Sequence, residues 1–224
     1  MKHMRKHNGE TLVFFDVDNT LFNGYTQKHL ARYLHRKGIL NSIDMLLVVV
    51  WFILYRVKII KDETSGVNYL LSRFKGWSKK RVEAIFNEYF SVIVRKRLYA
   101  QGIAVARNHL KKGNVVVLLS TSLAPIIKRV AKEIGTPHII ATELAYAGGT
   151  SLGRVSGNVV TSKQKLVLAQ KFIRERGALV TCYYAGHYSD YPLLKMVDNP
   201  FVVNPDKTLK ELAQKHSWPV VSFT

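Results

Sequence analysis

Two carboxylates stand two residues apart where an apolar run stops: in LVFFDVDNTLF, residues 12–22, Asp16 and Asp18 follow Leu12–Phe15 directly, with Thr20 two positions on. An unpaired carboxylate in apolar surroundings costs on the order of several kcal/mol, so the pair needs a neutralising partner. The simplest is a divalent cation taking oxygens from a carboxylate and a nearby backbone carbonyl. D-x-D-x-T also opens a calcium-binding EF-hand loop, but that loop requires glycine at its sixth position, where this chain has Leu21. Both carboxylates face one pocket if the chain turns as it leaves a strand.

Short apolar runs ending in small or polar residues predict strands over Thr11–Val17, Asn114–Ser120, His138–Ala141, Ala178–Tyr184 and Phe201–Val203. Helical periodicity lies between them over Pro125–Ile134, Lys165–Arg176 and Lys207–His216. Alternation of this kind predicts an α/β fold, a parallel sheet flanked by helices, with reactive groups at the carboxyl ends of strands. Asp16 and Ser120 both fall at such ends. Residues 22–100 break the alternation, reading as consecutive helices over Gln27–Lys37, Ile43–Ile60, Glu63–Phe74 and Lys79–Arg97. They form a helical cap inserted after the first strand, above its end, so that 1–21 and 101–224 make the core. Glu143–Gly157 is turn-rich and predicts a hairpin.

The 34 Lys and Arg against 15 Asp and Glu, a net charge of +19, imply attraction to polyanions: nucleic acid, an anionic membrane surface or phosphorylated substrates. No zinc finger, RNP-type aromatic motif or helix-turn-helix signature accompanies the charge, so specific nucleic-acid binding is not expected. The single cysteine, Cys182, excludes an internal disulfide and reads as a core filler in a reducing compartment. The first apolar run meets Asp16 too soon for a signal-peptide core, and a cytoplasmic setting is expected. A second apolar stretch, MLLVVVWFILY (Met45–Tyr55), falls short of the roughly 18 to 20 residues a spanning helix needs. It is either a buried helix or a segment at a membrane surface.

The hhhhDxDxT pattern resembles motif I of the haloacid dehalogenase superfamily, and the resemblance covers nearly the whole chain. NVVVLLSTS is similar to motif II, ending its strand in Ser120, and SKQKLVLAQKF to the lysine-bearing helix start of motif III. YSDYPLLKMVDNPFVVNPD resembles the motif IV region of the phosphoserine-phosphatase-like branch, subfamily IB, which carries a helical cap between motifs I and II. The resemblance implies a Rossmann-like core and a magnesium-dependent phosphatase working through an aspartyl-phosphate. Asp16 would be the nucleophile and Asp18 the general acid and base. Thr20 would fix the loop, and Ser120 would hold the phosphate with backbone N–H groups near Thr121 and Ser122. A lysine, Lys165 or alternatively Lys163, would neutralise charge between two anions.

One departure matters. Motif IV usually supplies two acids, the first a direct metal ligand, and the register fixed by SDYPLL puts Gly186 at that position. Asp190 alone remains. The metal set is then Asp16, Asp18 and Asp190 with water; His187 would add a nitrogen and favour manganese or another transition metal; or metal affinity and turnover are impaired. Substrate choice resides in the cap, where Arg32, Arg36, Lys37, Arg56, Lys58 and Lys61 flank the apolar stretch, with Trp51 and Tyr55 as interfacial aromatics. This is similar to bacterial phosphatidylglycerophosphatase C and implies a lipid-linked phosphomonoester and peripheral contact with an anionic membrane. A small soluble ester such as phosphoserine or histidinol phosphate is the competing substrate.

Overall fold

The computed structural model describes residues 10–56, 59 and 63–224. Six strands form one parallel sheet: β1 (Thr11–Phe15), β2 (Val115–Leu123), β3 (His138–Thr142), β6 (Val180–Ala185), β7 (Asn199–Val203) and β8 (Val220–Val221), in the order β3-β2-β1-β6-β7-β8. The chain leaves β1 toward β2 on one side and returns to β6 on the other, so the strand order reverses at β1. A crevice opens at that point in sheets of this kind. β1 is the central strand, with Phe14 paired to Val117 on one side and Tyr183 on the other, and Leu12–Phe15 are wholly buried. That position explains the continuous apolar run: a strand covered on both faces has no polar face to offer. The Rossmann-like α/β class expected from the sequence is the one observed.

Helices α5 (Ala100–Lys111), α6 (Ala124–Ile134), α7 (Ser162–Arg176), α8 (Tyr191–Leu194) and α9 (Lys207–Lys215) accompany the sheet. α6 buries Ile126, Ile127, Val130 and Ile134 along one side and stops at Gly135, whose φ of 98° ends the helix in a left-handed turn. Cys182 is buried in β6. The predicted hairpin is present as β4 (Leu144–Ala147) and β5 (Thr150–Val155), antiparallel and apart from the main sheet.

Between β1 and α5 lie α1 (Thr26–Arg36), α2 (Ser42–Arg56), α3 (Glu63–Ser72) and α4 (Lys79–Tyr89). The hairpin leans on them: Gly76 N donates to Ser151 O at 2.9 Å, Ser151 N to Trp77 O at 2.8 Å and Val155 N to Asn68 Oδ1 at 2.9 Å. Apolar side chains of these helices, such as Leu34, Leu71 and Phe86, join Val13, Phe15 and Ile127 in one continuous core. The helix expected through Arg97 changes form after Tyr89, to a π-turn over Phe90–Val94 and a 3-10 turn over Arg95–Arg97. The β-branched run Val92-Ile93-Val94 crowds a straight helix at this point. Of the helix expected over Ile43–Ile60, the part through Arg56 is present as α2; Val57, Lys58, Ile60 and Lys61 lie outside the described residues.

Candidate active site

β1 ends at Phe15, and Asp16 N still donates to Tyr184 O of β6 at 2.9 Å, so Asp16 emerges pinned between sheet neighbours. Lys165, in the first turn of α7, reaches it: Nζ donates to Asp16 Oδ1 at 2.7 Å and to Asp190 Oδ1 at 2.9 Å. Thr161 caps α7 by accepting from Gln164 N, which fixes the helix start from which Lys165 projects. Lys163, two residues earlier, is exposed, whereas Lys165 is buried. Tyr183 of β6 donates its hydroxyl to Asp190 Oδ1 at 2.9 Å. Asp16, Lys165 and Asp190 each expose 4% or less of their surface.

Electrostatics follow from that burial. Loss of water pushes the Asp16 carboxyl above its usual range, against the pull of Lys165, and the neighbouring Asp190 adds to the rise. Lys165 goes the other way. Burial alone would lower it, but two carboxylates hold its ammonium above the ordinary lysine value.

Asp18 belongs to a second group of atoms. Its Oδ1 accepts from Thr26 N at 2.8 Å, and its Oδ2 accepts from the Ser122 hydroxyl at 2.7 Å and the Thr26 hydroxyl at 3.4 Å. α1 has no capping side chain of its own at Tyr25, and Asp18 serves instead from eight residues upstream. Burial holds the Asp18 carboxyl above its ordinary value, in spite of the bonds from Thr26 and Ser122. The start of α1 is tied to β2 here, since Gln27 Nε2 donates to Thr121 O at 3.3 Å and the Thr26 and Ser122 hydroxyls pair at 2.6 Å, while Tyr89 OH of α4 donates to Thr26 O at 2.7 Å.

β2 runs three residues beyond its expected end at Ser120, so Thr121 and Ser122 lie within the strand rather than at a helix start. Ser120 Oγ accepts from Ser122 N at 3.1 Å, which commits that N–H. Thr121 O receives Gln27 and the Thr142 hydroxyl. Thr20 is buried, and its hydroxyl has no hydrogen-bond partner among the described residues. Thr26 and Tyr183 are site residues that the sequence reading missed. Thr26 carried the signal of a hydroxyl residue at a predicted helix start.

His187, a candidate metal ligand, is engaged elsewhere, and Gly186 stands where the acid is missing. His187 Nδ1 pairs with the Ser189 hydroxyl at 2.9 Å, and Nε2 lies 3.9 Å from Asp206. A Cβ at Gly186 would collide with Val203 O and sit 2.7 Å from Asn19 O, so the backbone as it stands admits no side chain there. Among the described residues, no three His, Cys, Asp or Glu side chains are grouped to hold a metal, and Asp16, Asp18, Asp190 and His187 do not converge as one set. Asp16 and Asp190 do converge, on one ammonium, through one oxygen each. Two carboxylates suit a hard cation that keeps most of its waters and binds through one or two such groups. They do not suit a metal that requires nitrogen.

Against known proteins, residues 13–195 match the model of the haloacid dehalogenase-like hydrolases, and the chain belongs to that family. It is similar to a probable phosphatase of Mycobacterium tuberculosis, 27% identical over 96% of this chain and 76% of the relative. It is also similar to a histidinol-phosphatase of Neisseria meningitidis, 25% identical over 96% of this chain and 99% of the relative. Among solved structures, a Bordetella pertussis protein of unknown function superposes with a TM-score of 0.84 at 24% identity, over 95% of this chain and 98% of that one. A phosphoserine phosphatase captured as a phospho-aspartyl intermediate analogue gives 0.64 at 18% identity, over 91% and 90%. These two likenesses speak for the fold.

Proposed function

We propose that this hydrolase cleaves phosphomonoesters in two steps, with Asp16 as nucleophile. The observation that carries the reading is the ammonium of Lys165 held between Asp16 and Asp190 at 2.7 and 2.9 Å. An anionic nucleophile approaching an anionic phosphate is repelled unless a fixed cation lies between them. Asp16 attacks phosphorus through its carboxylate oxygen, and the bond from phosphorus to the leaving oxygen breaks. The leaving oxygen takes the proton of Asp18, a carboxyl that burial keeps in its acid form more readily than usual. Asp18, now ionised, takes a proton from the water that attacks the phosphoryl group, which releases phosphate and restores Asp16. Ser120 accepts from Ser122 N and keeps its own hydroxyl proton for a phosphoryl oxygen. Magnesium, for which Asp16 and Asp190 would supply carboxylate oxygens, contributes neutralisation of phosphoryl charge when bound.

The site is shut beneath α1, so substrate entry requires that Thr26 and Gln27 move away from Asp18 and Thr121. The relatives named for histidinol phosphate and phosphoserine support a small soluble ester as substrate. One feature favours a second substrate class, a lipid-linked phosphate: the outer face of α2 is apolar and exposed. Gly186 supports reduced metal affinity and hence a slow enzyme, because its position is sterically closed to the missing acid.

Hydrolysis of p-nitrophenyl phosphate by the purified chain with magnesium is the test. Turnover that disappears in Asp16→Asn and falls by roughly 10²-fold or more in Asp18→Asn supports the reading. Turnover unchanged in Asp16→Asn overturns it.

A further inference from the structure

Helix α2 carries a face that nothing among the described residues covers. Ile43, Leu46, Leu47, Val49, Val50 and Ile53 are between 41% and 68% exposed. At about 100° per residue they fall within an arc of about 160°. Asp44, Val48 and Trp51 lie on the opposite arc, Asp44 buried and the other two half-buried. Asp44, the only acid of the helix, is buried; it accepts from Tyr69 OH at 2.7 Å and Asn41 N at 2.9 Å and pairs with Arg73. Trp51 packs its indole on Gly66 of α3, where a Cβ would collide with the ring, and donates to Ser65 Oγ at 3.1 Å. Trp51 therefore anchors α2 to the cap rather than serving as the outward aromatic expected from the sequence. These bonds fix the rotation of the helix, with six of its large aliphatics facing out.

The surroundings are cationic. On the neighbouring α1, Lys28, Arg32 and Arg36 are exposed and have no carboxylate partner among the described residues. Arg32 and Arg36 line a cavity of about 110 Å³ with His29, Tyr33, Ile93 and Arg97, and no acid lines it. A second copy of a chain carrying +19 meets like charge at such a face, whereas an anionic surface meets complementary charge. The helix is 15 residues long, about 22 Å at 1.5 Å per residue. No helix among the described residues is long and apolar enough to cross a membrane.

We propose that the exposed face of α2 docks in the plane of an anionic lipid bilayer, its aliphatics entering the headgroup and acyl boundary while the cationic cap draws the protein to the surface. The surface does not depend on the catalytic reading and survives if that reading fails.

The test is co-sedimentation of the full chain with vesicles of phosphatidylglycerol and phosphatidylcholine, against vesicles of phosphatidylcholine alone. The double variant Leu46→Asn/Ile53→Asn is run beside it, with circular dichroism and p-nitrophenyl phosphate turnover as controls on the fold. The expected result is binding to the anionic vesicles, little to the neutral ones, and partition weakened about tenfold or more in the variant. Three results would overturn the proposal. One is no binding of the parent chain to anionic vesicles. Another is a variant that binds like the parent, which leaves charge alone as the cause. The third is a concentration-dependent dimer, abolished by the variant, with no vesicle binding, which gives the face to a second copy.

Discussion

Replacing Lys165 by methionine tests the electrostatic centre of the site. Its ammonium lies 2.7 Å from Asp16 and 2.9 Å from Asp190, with all three side chains buried. At an effective dielectric of about 20, each contact is worth about 6 kcal/mol of attraction before desolvation is charged against it. Breaking a buried pair by removing one partner typically costs about 3–5 kcal/mol, because the remaining charge is left uncompensated. In Lys165→Met two carboxylates would face each other without a cation, and the Asp16 carboxyl, which burial already pushes up, would hold its proton more tightly still. The folded state then binds more protons, so stability falls as pH rises through the carboxylate range, by up to about 1.4 kcal/mol per pH unit for each proton. Urea unfolding of parent and variant at pH 5 and pH 8 reads this directly. The expected loss is larger at pH 8 than at pH 5, with phosphatase turnover gone at both. A variant that unfolds at the same midpoint as its parent, with the same pH dependence, would show that Lys165 does not neutralise this carboxylate pair.

Gly186→Asp is expected to lower the thermal midpoint and add no magnesium-supported rate, since the new Cβ meets the carbonyls of Val203 and Asn19; a higher rate with an undiminished midpoint contradicts this. Asp44→Asn removes charge-assisted bonds to Tyr69 and Arg73 and is expected to cost about 1.5–3 kcal/mol at neutral pH, measured by urea unfolding. Those partners hold the Asp44 carboxyl below its usual range. Its contribution is thus present above the unfolded carboxylate pKa and disappears as pH falls through the folded one, so the gap between parent and Asp44→Asn should narrow in acid. Thr26→Ala removes the hydroxyl shared with Ser122 but keeps the N–H that Asp18 accepts, and is expected to alter turnover less than Asp18→Asn in the same assay.

The sheet was legible because its central strand is written as an unbroken apolar run, and Leu12–Phe15 could lie nowhere but between two strands. Lys165 was distinguishable from Lys163 only by which face of α7 turns inward, and a two-residue difference in sequence became the difference between buried and exposed. β8 was not legible: Val220–Val221 is two residues long, too short to show alternation. Nor was the partnership of Asp18 with Thr26, because α1 takes its cap from a residue outside the range where capping signals are read. The end of β2 is not legible either, because Ser120 and Ser122 look like turn residues. Both are buried, and their polar atoms bond to each other and to Asp18 across the crevice.

The claim that phosphorus is captured by Asp16 is tested most directly by trapping. The enzyme is quenched in acid during turnover, reduced with borohydride and mapped by mass spectrometry. An acyl-phosphate on Asp16 is reduced to homoserine, so that mass change is expected in the peptide holding residue 16. Turnover in the same sample with an unmodified Asp16, or with the change on another acid, would contradict it.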